Sequence, residues 1–168
     1  KQNKLKLSKI YKTVNSFAGL KYRQEIIFKK RGLTVINDSK STSFSSSINL
    51  LKSYKNVFWL VGGIPKKGDK FNLESNYYKN INAYIFSKNK NFFKKKFRNK
   101  INFKLFSNLT KAIKKIVIDI KINKIKNPII LFSPSAASFD SFQNFEARGE
   151  YFNRLLKKIN FLKKIDGK

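Results

Sequence analysis

Val57-Phe-Trp-Leu-Val-Gly-Gly63 is the stretch that decides the fold, because an unbroken apolar run stands directly before two glycines. Apolar residues without alternation are typical of a strand that is covered on both faces, as strands are in a parallel sheet. Similar runs occur at residues 83–86 and 129–132. We therefore expect a parallel sheet that is buried between helices.

Segments with helical spacing alternate with these strands. Phe44, Ile48 and Leu51, for example, fall on one face of a helix. The predicted helices and two further strand candidates are residues 42–54, 109–120, 152–162, 25–28 and 33–36. Such alternation predicts right-handed βαβ units. The expected fold class is α/β, a Rossmann-like three-layer domain with a mostly parallel sheet flanked by helices.

Three polar segments directly follow strand candidates. The first, second and third motif segments are Asn37-Asp-Ser-Lys-Ser-Thr-Ser43, Gly62-Gly-Ile-Pro-Lys66 and Ser133-Pro-Ser-Ala-Ala-Ser-Phe-Asp-Ser-Phe-Gln-Asn-Phe-Glu-Ala-Arg-Gly149. Open α/β sheets bind ligands beyond the carboxyl ends of their strands. We therefore expect all three segments at one ligand-binding edge.

The first motif segment has two interpretations. Its hydroxyl and carboxylate side chains lie before a predicted helix, where they could cap free backbone N–H groups. Taken alone, capping is favoured. The alternative is an anion site made by the helix N-terminus with Lys40 and Thr42, in which Asp38 accepts a hydrogen bond from the ligand.

The second and third motif segments carry weaker signals. Gly63 and Gly68 are followed by Asp-Lys-Phe, so the phosphate-loop pattern fails and a turn that carries Lys66 remains. In the third segment we expect Asp140 to cap a helix and Arg148 to form an ion pair with its neighbour Glu146. Three phenylalanines at regular spacing are expected to pack: Phe139, Phe142 and Phe145.

The chain is strongly basic, with a formal net charge of +29 and a pI near 10.4. A nucleic-acid-binding domain would show such a charge. However, Lys outnumbers Arg 33 to 5, and the lysines are spread along the chain. Nucleic-acid readers rely on Arg for bidentate contacts. A basic nucleic-acid module is therefore a less favoured alternative, and we expect no specific nucleic-acid partner.

Composition excludes several classes of site. The sequence has no Cys and no His, so thiolate or imidazole metal sites and histidine base catalysis are absent from it. We find neither an apolar run of membrane-spanning length nor a signal peptide. Because it lacks Met, we expect a piece of a longer protein, with residues 1–18 as the tail of a preceding domain and a linker.

The motif segments resemble, in composition and order, those of the Mur ligases that add D-glutamate. These ligases carry N-D-S-K-A-T-N, then G-G-x-x-K, then S-P-A-x-A-S-x-D-x-F-x-N-F-E-x-R-G. The likeness runs from Leu20 onward and includes an arginine, Arg23, ahead of the first segment. The departures include Ser41 for the usual Ala, Ser43 for Asn, and Lys21-Tyr22 for a Pro-His pair.

The resemblance implies a function. Residues 19–168 would be the C-terminal, amino-acid-binding domain of a cytoplasmic, monomeric ligase of peptidoglycan synthesis. That enzyme joins D-glutamate to UDP-N-acetylmuramoyl-L-alanine with ATP and Mg²⁺. The phosphate loop and the Mg²⁺ ligands of such enzymes belong to preceding domains, and none of their motifs occurs here. We therefore expect this chain alone to be inactive and to hold no metal.

The resemblance also implies roles for single residues. Arg23 and Asp38 would contact ATP, and Lys40 and Arg148 would assist catalysis electrostatically. The implied D-glutamate site combines hydroxyls, a cation and backbone beside two phenylalanines: Thr42, Lys66, Ser138, Phe139 and Phe145.

Two points stay open. The same fold could come from another Mur ligase or a folylpolyglutamate synthase, although the segment S-P-x-x-A-S-x-D-x-F argues against both. Residues 87–100 are the most polar region, and we expect a solvated helix or loop without an inferred role.

Overall fold

The computed structural model describes residues 7–16, 19–159 and 161. They form an open sheet of six strands in the order β1-β2-β6-β3-β4-β5. The strands are β1 (Glu25–Lys30), β2 (Leu33–Asn37), β3 (Val57–Val61), β4 (Ile81–Ile85), β5 (Asn102–Leu105) and β6 (Ile129–Phe132). The helices are α1 (Leu7–Ser16), α2 (Phe44–Ser53), α3 (Lys90–Phe97), α4 (Leu109–Ile122) and α5 (Phe145–Lys158).

The sheet is mostly parallel, and only the edge strand β1 is antiparallel to its neighbour. A tight turn at Arg31 and Gly32, with φ of 51° and 81°, connects β1 to β2. Positive φ at both central residues is typical of the hairpin turn that matches strand twist.

Two hydrophobic clusters cover the two faces of the sheet. One includes Phe44 of α2 and Phe93 and Phe97 of α3, and the other includes Ile113 of α4 and Phe152 of α5. The strands contribute to both clusters because successive side chains point to opposite faces. The predicted three-layer α/β class is therefore confirmed.

Most predicted elements were located correctly. Strands β3 and β6 have the predicted bounds, and α2 begins two residues later than expected. Part of the last predicted helix, residues 160 and 162, lies outside the described residues. In the described ranges, no helix is long and apolar enough to cross a membrane.

Residues 87–100 were predicted as a solvated helix or loop; a helix is present, but one of its faces is buried. They include α3, whose Phe93 and Phe97 are 0% exposed. The charged residues between these phenylalanines dominate the composition and hide an apolar stripe at positions i and i+4. Strand β5 was missed because it is short and mostly exposed.

Candidate functional site

The three motif segments follow β2, β3 and β6, which are adjacent and parallel in the sheet. Their carboxyl ends therefore meet at the same edge. The predicted placement of the segments is confirmed. Strand β6 lies between β2 and β3, so the third segment sits between the other two.

The second and third segments are joined by backbone hydrogen bonds. Ile64 N donates to Ala137 O, and Ala137 N donates to Ile64 O, each at 2.9 Å. Gly63 has φ of 136°, and a Cβ atom there would lie 2.3 Å from Ala137 O. Only glycine allows this close approach of the two backbones.

Arg148 connects the first and third segments. Its guanidinium donates to Ser39 O at 2.7 Å, Ser39 Oγ at 3.1 Å and Ala136 O at 2.9 Å. The side chain is 1% exposed, and burial lowers the pKa of Arg148 to about 10, an effect that the Asp140 carboxylate opposes. The predicted ion pair with Glu146 is wrong, because carbonyl and hydroxyl oxygens bind this guanidinium within the described ranges.

Helix α5 is held against the first segment by an asparagine. Asn37 Nδ2 donates to Gly149 O at 3.0 Å and to Asn153 Oδ1 at 2.8 Å. Gly149 also leaves room for the ring of Tyr22, which would lie 2.4 Å from an added Cβ. Tyr22, which stands where the resembled ligases usually have His, thus packs on α5.

Capping in the first segment is performed by Ser43, not by Asp38. Ser43 N donates to Ser46 Oγ at 3.3 Å, within a capping box at the start of α2. Phe44 N donates to the Asp69 carboxylate at 2.8 Å. A carboxylate of the chain itself therefore occupies one N–H group of this helix N-terminus, and the anion site with Lys40 and Thr42 stays a prediction.

Asp38 is 5% exposed and joins three parts of the chain. Its Oδ1 accepts from Gln24 N at 3.1 Å, and its Oδ2 accepts from Ser133 Oγ at 2.8 Å. Burial raises the pKa of Asp38, while Ser133, the Gln24 N–H and Arg23 lower it; the net direction is upward. A carboxylate has about four acceptor positions. Two hydrogen bonds therefore leave it able to accept from a ligand.

Several predicted site side chains are open to solvent. Arg23, Thr42 and Lys66 are exposed. The side chains of Thr42 and Lys66 make no hydrogen bond or ion pair inside the ranges that the structure describes. Lys40 is partly exposed, and its Nζ lies 4.1 Å from the ring centroid of Phe145. These donors are available to an anion.

Ser138 is 3% exposed, and its carbonyl accepts from the N–H groups of Ser141 and Phe142 at 3.1 and 2.9 Å. Its hydroxyl makes no hydrogen bond with any other described residue. The neighbouring Phe139 is 71% exposed, so its predicted packing is wrong. Its ring is largely exposed to solvent.

The other two phenylalanines of the third segment do pack. The ring centroids of Phe142 and Tyr151 are 5.3 Å apart, and the Phe145 ring contacts the Lys40 ammonium. The predicted cap Asp140 is also corrected, because Asn144 caps α5 by accepting from Ala147 N. The helix begins at Phe145, farther along the chain than a cap at 140 requires.

A fourth segment, after β4, was missed from the sequence. Ser87 Oγ and Asn89 Nδ2 donate to Gly63 O at 2.8 and 3.2 Å. Lys88 between them acts electrostatically on Asp140 of the third segment. The rule used for the other segments would have found it, because Ser87 directly follows the apolar run that ends β4.

Within the described ranges, no group of three or more Asp or Glu could hold a metal ion. A groove of about 800 Å³ lies between β1 and α5, lined by residues such as Ile26 and Leu156. The motif segments do not line it. The candidate site is instead an open edge that carries cations and hydroxyls.

Curated relatives match almost the whole chain. A "UDP-N-acetylmuramoylalanine--D-glutamate ligase" of Wolbachia sp. subsp. Brugia malayi is 35% identical over 156 residues, 93% of this chain and 31% of the relative. The resemblance to Mur ligases is confirmed. Proteins of the same name from Rickettsia felis and Rhodospirillum rubrum are 34% and 32% identical over 89% and 88% of this chain, and 33% and 31% of their own length.

The chain therefore spans about a third of the length of the curated relatives it matches. No protein-family model matches it.

Proposed function

We propose that residues 19–168 form the C-terminal, amino-acid-binding domain of a ligase that adds D-glutamate to UDP-N-acetylmuramoyl-L-alanine in peptidoglycan synthesis. The observation that carries the proposal is the meeting of three motif segments at one edge, held by Arg148. The names of the relatives support it. Residues 1–18 are the tail of a preceding domain and a linker, which agrees with the exposed Leu7, Tyr11 and Val14 of α1.

The open edge suits a small dicarboxylate amino acid. Lys66 and Thr42 offer an ammonium and a hydroxyl to one carboxylate, without competing partners inside the described ranges. The Ser138 hydroxyl and the backbone N–H groups near Phe139 and Phe145 serve the other. Charge-assisted hydrogen bonds of this kind are about twice as strong as neutral ones. Lys40 adds positive charge, and the buried Arg148 keeps the segments in place.

We assign the nucleotide contacts to two residues, Arg23 before β1 and Asp38 in the first segment. Arg23 is exposed, and Asp38 retains acceptor positions for a sugar hydroxyl or an amine. ATP supplies the phosphoryl group that activates the carboxylate of UDP-N-acetylmuramoyl-L-alanine. By the resemblance, the Mg²⁺ ligands belong to the preceding domains. Within the described residues, no group of three or more carboxylates could hold a metal ion.

The task of this chain in the reaction is positioning. The D-glutamate amine forms an amide bond with the activated carboxyl carbon, and phosphate leaves. Holding both carboxylates fixes the amine relative to that carbon. Part of the entropic cost of bringing the two reacting groups together is then met when D-glutamate binds, which lowers the barrier of the reaction. The chain then determines which amino acid is accepted, and the full-length enzyme acts as a cytoplasmic monomer.

Lys66 provides the test. In the full-length ligase, Lys66→Ala should raise the KM for D-glutamate, because a hydrogen bond to a charged group contributes about 1.5–3 kcal/mol, about tenfold or more in affinity. Lys67→Ala is the matched control, since its side chain is also exposed. Equal effects of the two changes would show that bulk charge matters instead of a specific contact.

Two further assays separate the alternatives. A panel of amino-acid acceptors distinguishes a D-glutamate ligase from another Mur ligase or a folylpolyglutamate synthase. A salt titration with DNA and RNA tests the nucleic-acid module, because unspecific attraction to a basic surface weakens steeply with salt. The isolated chain should show no ligation and no ATP hydrolysis, and measurable ligation by it would contradict the proposed division of labour.

A further inference from the structure

A buried network of serine hydroxyls lies behind the first and third motif segments. Its centre is Ser47 of α2, whose Oγ lies 2.6 Å from Ser41 Oγ, 2.6 Å from Ser133 Oγ and 2.5 Å from Ser135 Oγ. Ser133 Oγ in turn donates to Asp38 Oδ2 at 2.8 Å. All of these residues are at most 5% exposed.

Counting protons assigns a direction to the contacts of Ser47. A hydroxyl has one proton and two acceptor lone pairs, and an ionised carboxylate only accepts. Because Ser133 gives its proton to Asp38, Ser47 must donate in the contact between Ser47 and Ser133. The shortest contacts of Ser41 and Ser135 then have both hydroxyls donate to Ser47. Their other acceptors lie farther away: Ser46 Oγ at 2.9 Å and Ser43 O at 3.4 Å from Ser41 Oγ, and Ser133 O at 3.3 Å from Ser135 Oγ. Ser47 thus uses its full capacity of one donated and two accepted hydrogen bonds.

We propose that Ser47 is a positioning residue of the nucleotide site, which directs four hydroxyl protons toward Asp38 and so fixes the orientation and ionised state of that carboxylate. The nucleotide role rests on the proposed function; the ordering of protons does not. Ser47 acts from the helix behind the site and need not touch a ligand. It also ties α2 to the two segments that follow β2 and β6.

The network is partly specific to this chain. Ser41 and Ser135 both stand where the pattern of the resembled ligases has Ala, so both hydroxyls that donate to Ser47 depart from the family pattern. A buried carboxylate without such donors would favour its neutral form. Arg23, from the segment before β1, is the charged side chain that acts on Asp38 within the described ranges. It is exposed, so solvent screens it.

The first experiment is an NMR titration of the Asp38 carboxyl carbon in the 168-residue chain. Ser47→Ala should move the midpoint upward by about half a pH unit or more. Without Ser47, the Ser133 hydroxyl that donates to the Asp38 carboxylate loses the hydrogen bond that orients it. Ser53→Ala is the control, since this serine lies in the same helix and bonds only Asn49 O. An unchanged midpoint in folded Ser47→Ala would overturn the proposal.

Ser41→Ala keeps the proposal testable if Ser47→Ala does not fold. Alanine is the usual residue there in the resembled ligases, so this variant should fold. Its titration midpoint should rise by less than that of Ser47→Ala, and Ser47→Thr should restore the original value by keeping the hydroxyl. No rise in folded Ser41→Ala, with Ser47→Ala unfolded, would also overturn the proposal.

The second experiment is a double-mutant cycle in the full-length ligase. Ser47→Ala should raise the KM for ATP by about fivefold with a smaller effect on kcat, and it should add less than about twofold in an Asp38→Asn background. Equal effects in both backgrounds would show a merely structural role and contradict the proposal. If the full-length protein lacks D-glutamate ligase activity, the proposed function fails, and the titration still decides the role of Ser47.

Discussion

Asp38 and Asp119 are two buried aspartates, with 5% and 6% of their surface exposed. Asp38 follows β2 at the motif edge, whereas Asp119 lies on α4. Burial raises the pKa of both carboxyls. For Asp38 the opposing hydrogen bonds are too weak to reverse this, so its pKa is raised. For Asp119 the hydrogen bonds to Lys104, Lys115 and Tyr84 prevail, so its pKa is lowered.

The difference lies in the charge of the partners. Asp119 accepts from Lys104 Nζ at 2.6 Å, Lys115 Nζ at 2.8 Å and Tyr84 Oη at 2.5 Å. Cations there neutralise the carboxylate. Asp38 receives a serine hydroxyl and a backbone N–H, both neutral. Two aspartates of similar solvent exposure thus differ: one is a structural carboxylate, and the other has remaining capacity for a ligand.

The largest expected effect comes from Arg148, which holds the motif edge together. Arg148→Ala should lower the free energy of unfolding by about 3 kcal/mol or more, since it leaves buried acceptors at Ser39 and Ala136 unsatisfied at about 1–3 kcal/mol each. Urea unfolding measures this. Arg154→Ala, at an exposed site of the same helix, should stay within about 0.5 kcal/mol. A similar small loss for both would show that the edge does not depend on the buried guanidinium.

Asp119→Ala should cost about 1–3 kcal/mol of stability, because the buried Tyr84 hydroxyl loses its acceptor. The two lysines are partly exposed and can return to water, which limits the loss. Asp38→Asn should cost less stability but should raise the KM for ATP in the full-length ligase. The comparison would break if Asp38→Asn destabilised the fold as much as Asp119→Ala and left the KM unchanged.

The pH dependence of stability should have opposite signs for the two aspartates. The contribution of Asp119, whose pKa is lowered from 3.8, is present above that value and is lost as the pH falls through the folded pKa. Asp38, whose pKa is raised from 3.8, favours folding while protonated, and that contribution is lost as the pH rises through its folded pKa. Unfolding free energies of the two Asp→Asn variants from pH 2 to 7, each relative to the unmodified chain, measure this. Parallel pH profiles would contradict the assignment.

Ser138 should show the smallest effect on stability. Its hydroxyl makes no hydrogen bond to any described residue, so Ser138→Ala should change the Tm little while it raises the KM for D-glutamate. Ser133→Ala is the contrast, since its hydroxyl bonds Asp38. A large fall in Tm with an unchanged KM would place Ser138 among the structural serines.

The apolar runs predicted the strands well, because unbroken hydrophobicity reports burial directly. They failed for α3, where Lys residues separate Phe93 from Phe97, and for the exposed strand β5. The motif segments predicted which residues gather at the edge. Their internal roles were harder to predict: Asn144 replaces Asp140 as a cap, and Arg148 binds oxygens of Ser39 instead of Glu146.

The sequence by itself determined the α/β class and the candidate residues at strand ends, because local hydrophobic periodicity and motif spacing are properties of neighbouring positions. Only the tertiary structure decided that β6 inserts between β2 and β3, which brings Ser133 to Asp38 and Ala136 to Arg148. It also decided that Ser47 would contact two hydroxyls from a distant segment, those of Ser133 and Ser135. These choices depend on which surfaces fit together across the sheet, and no local pattern encodes them.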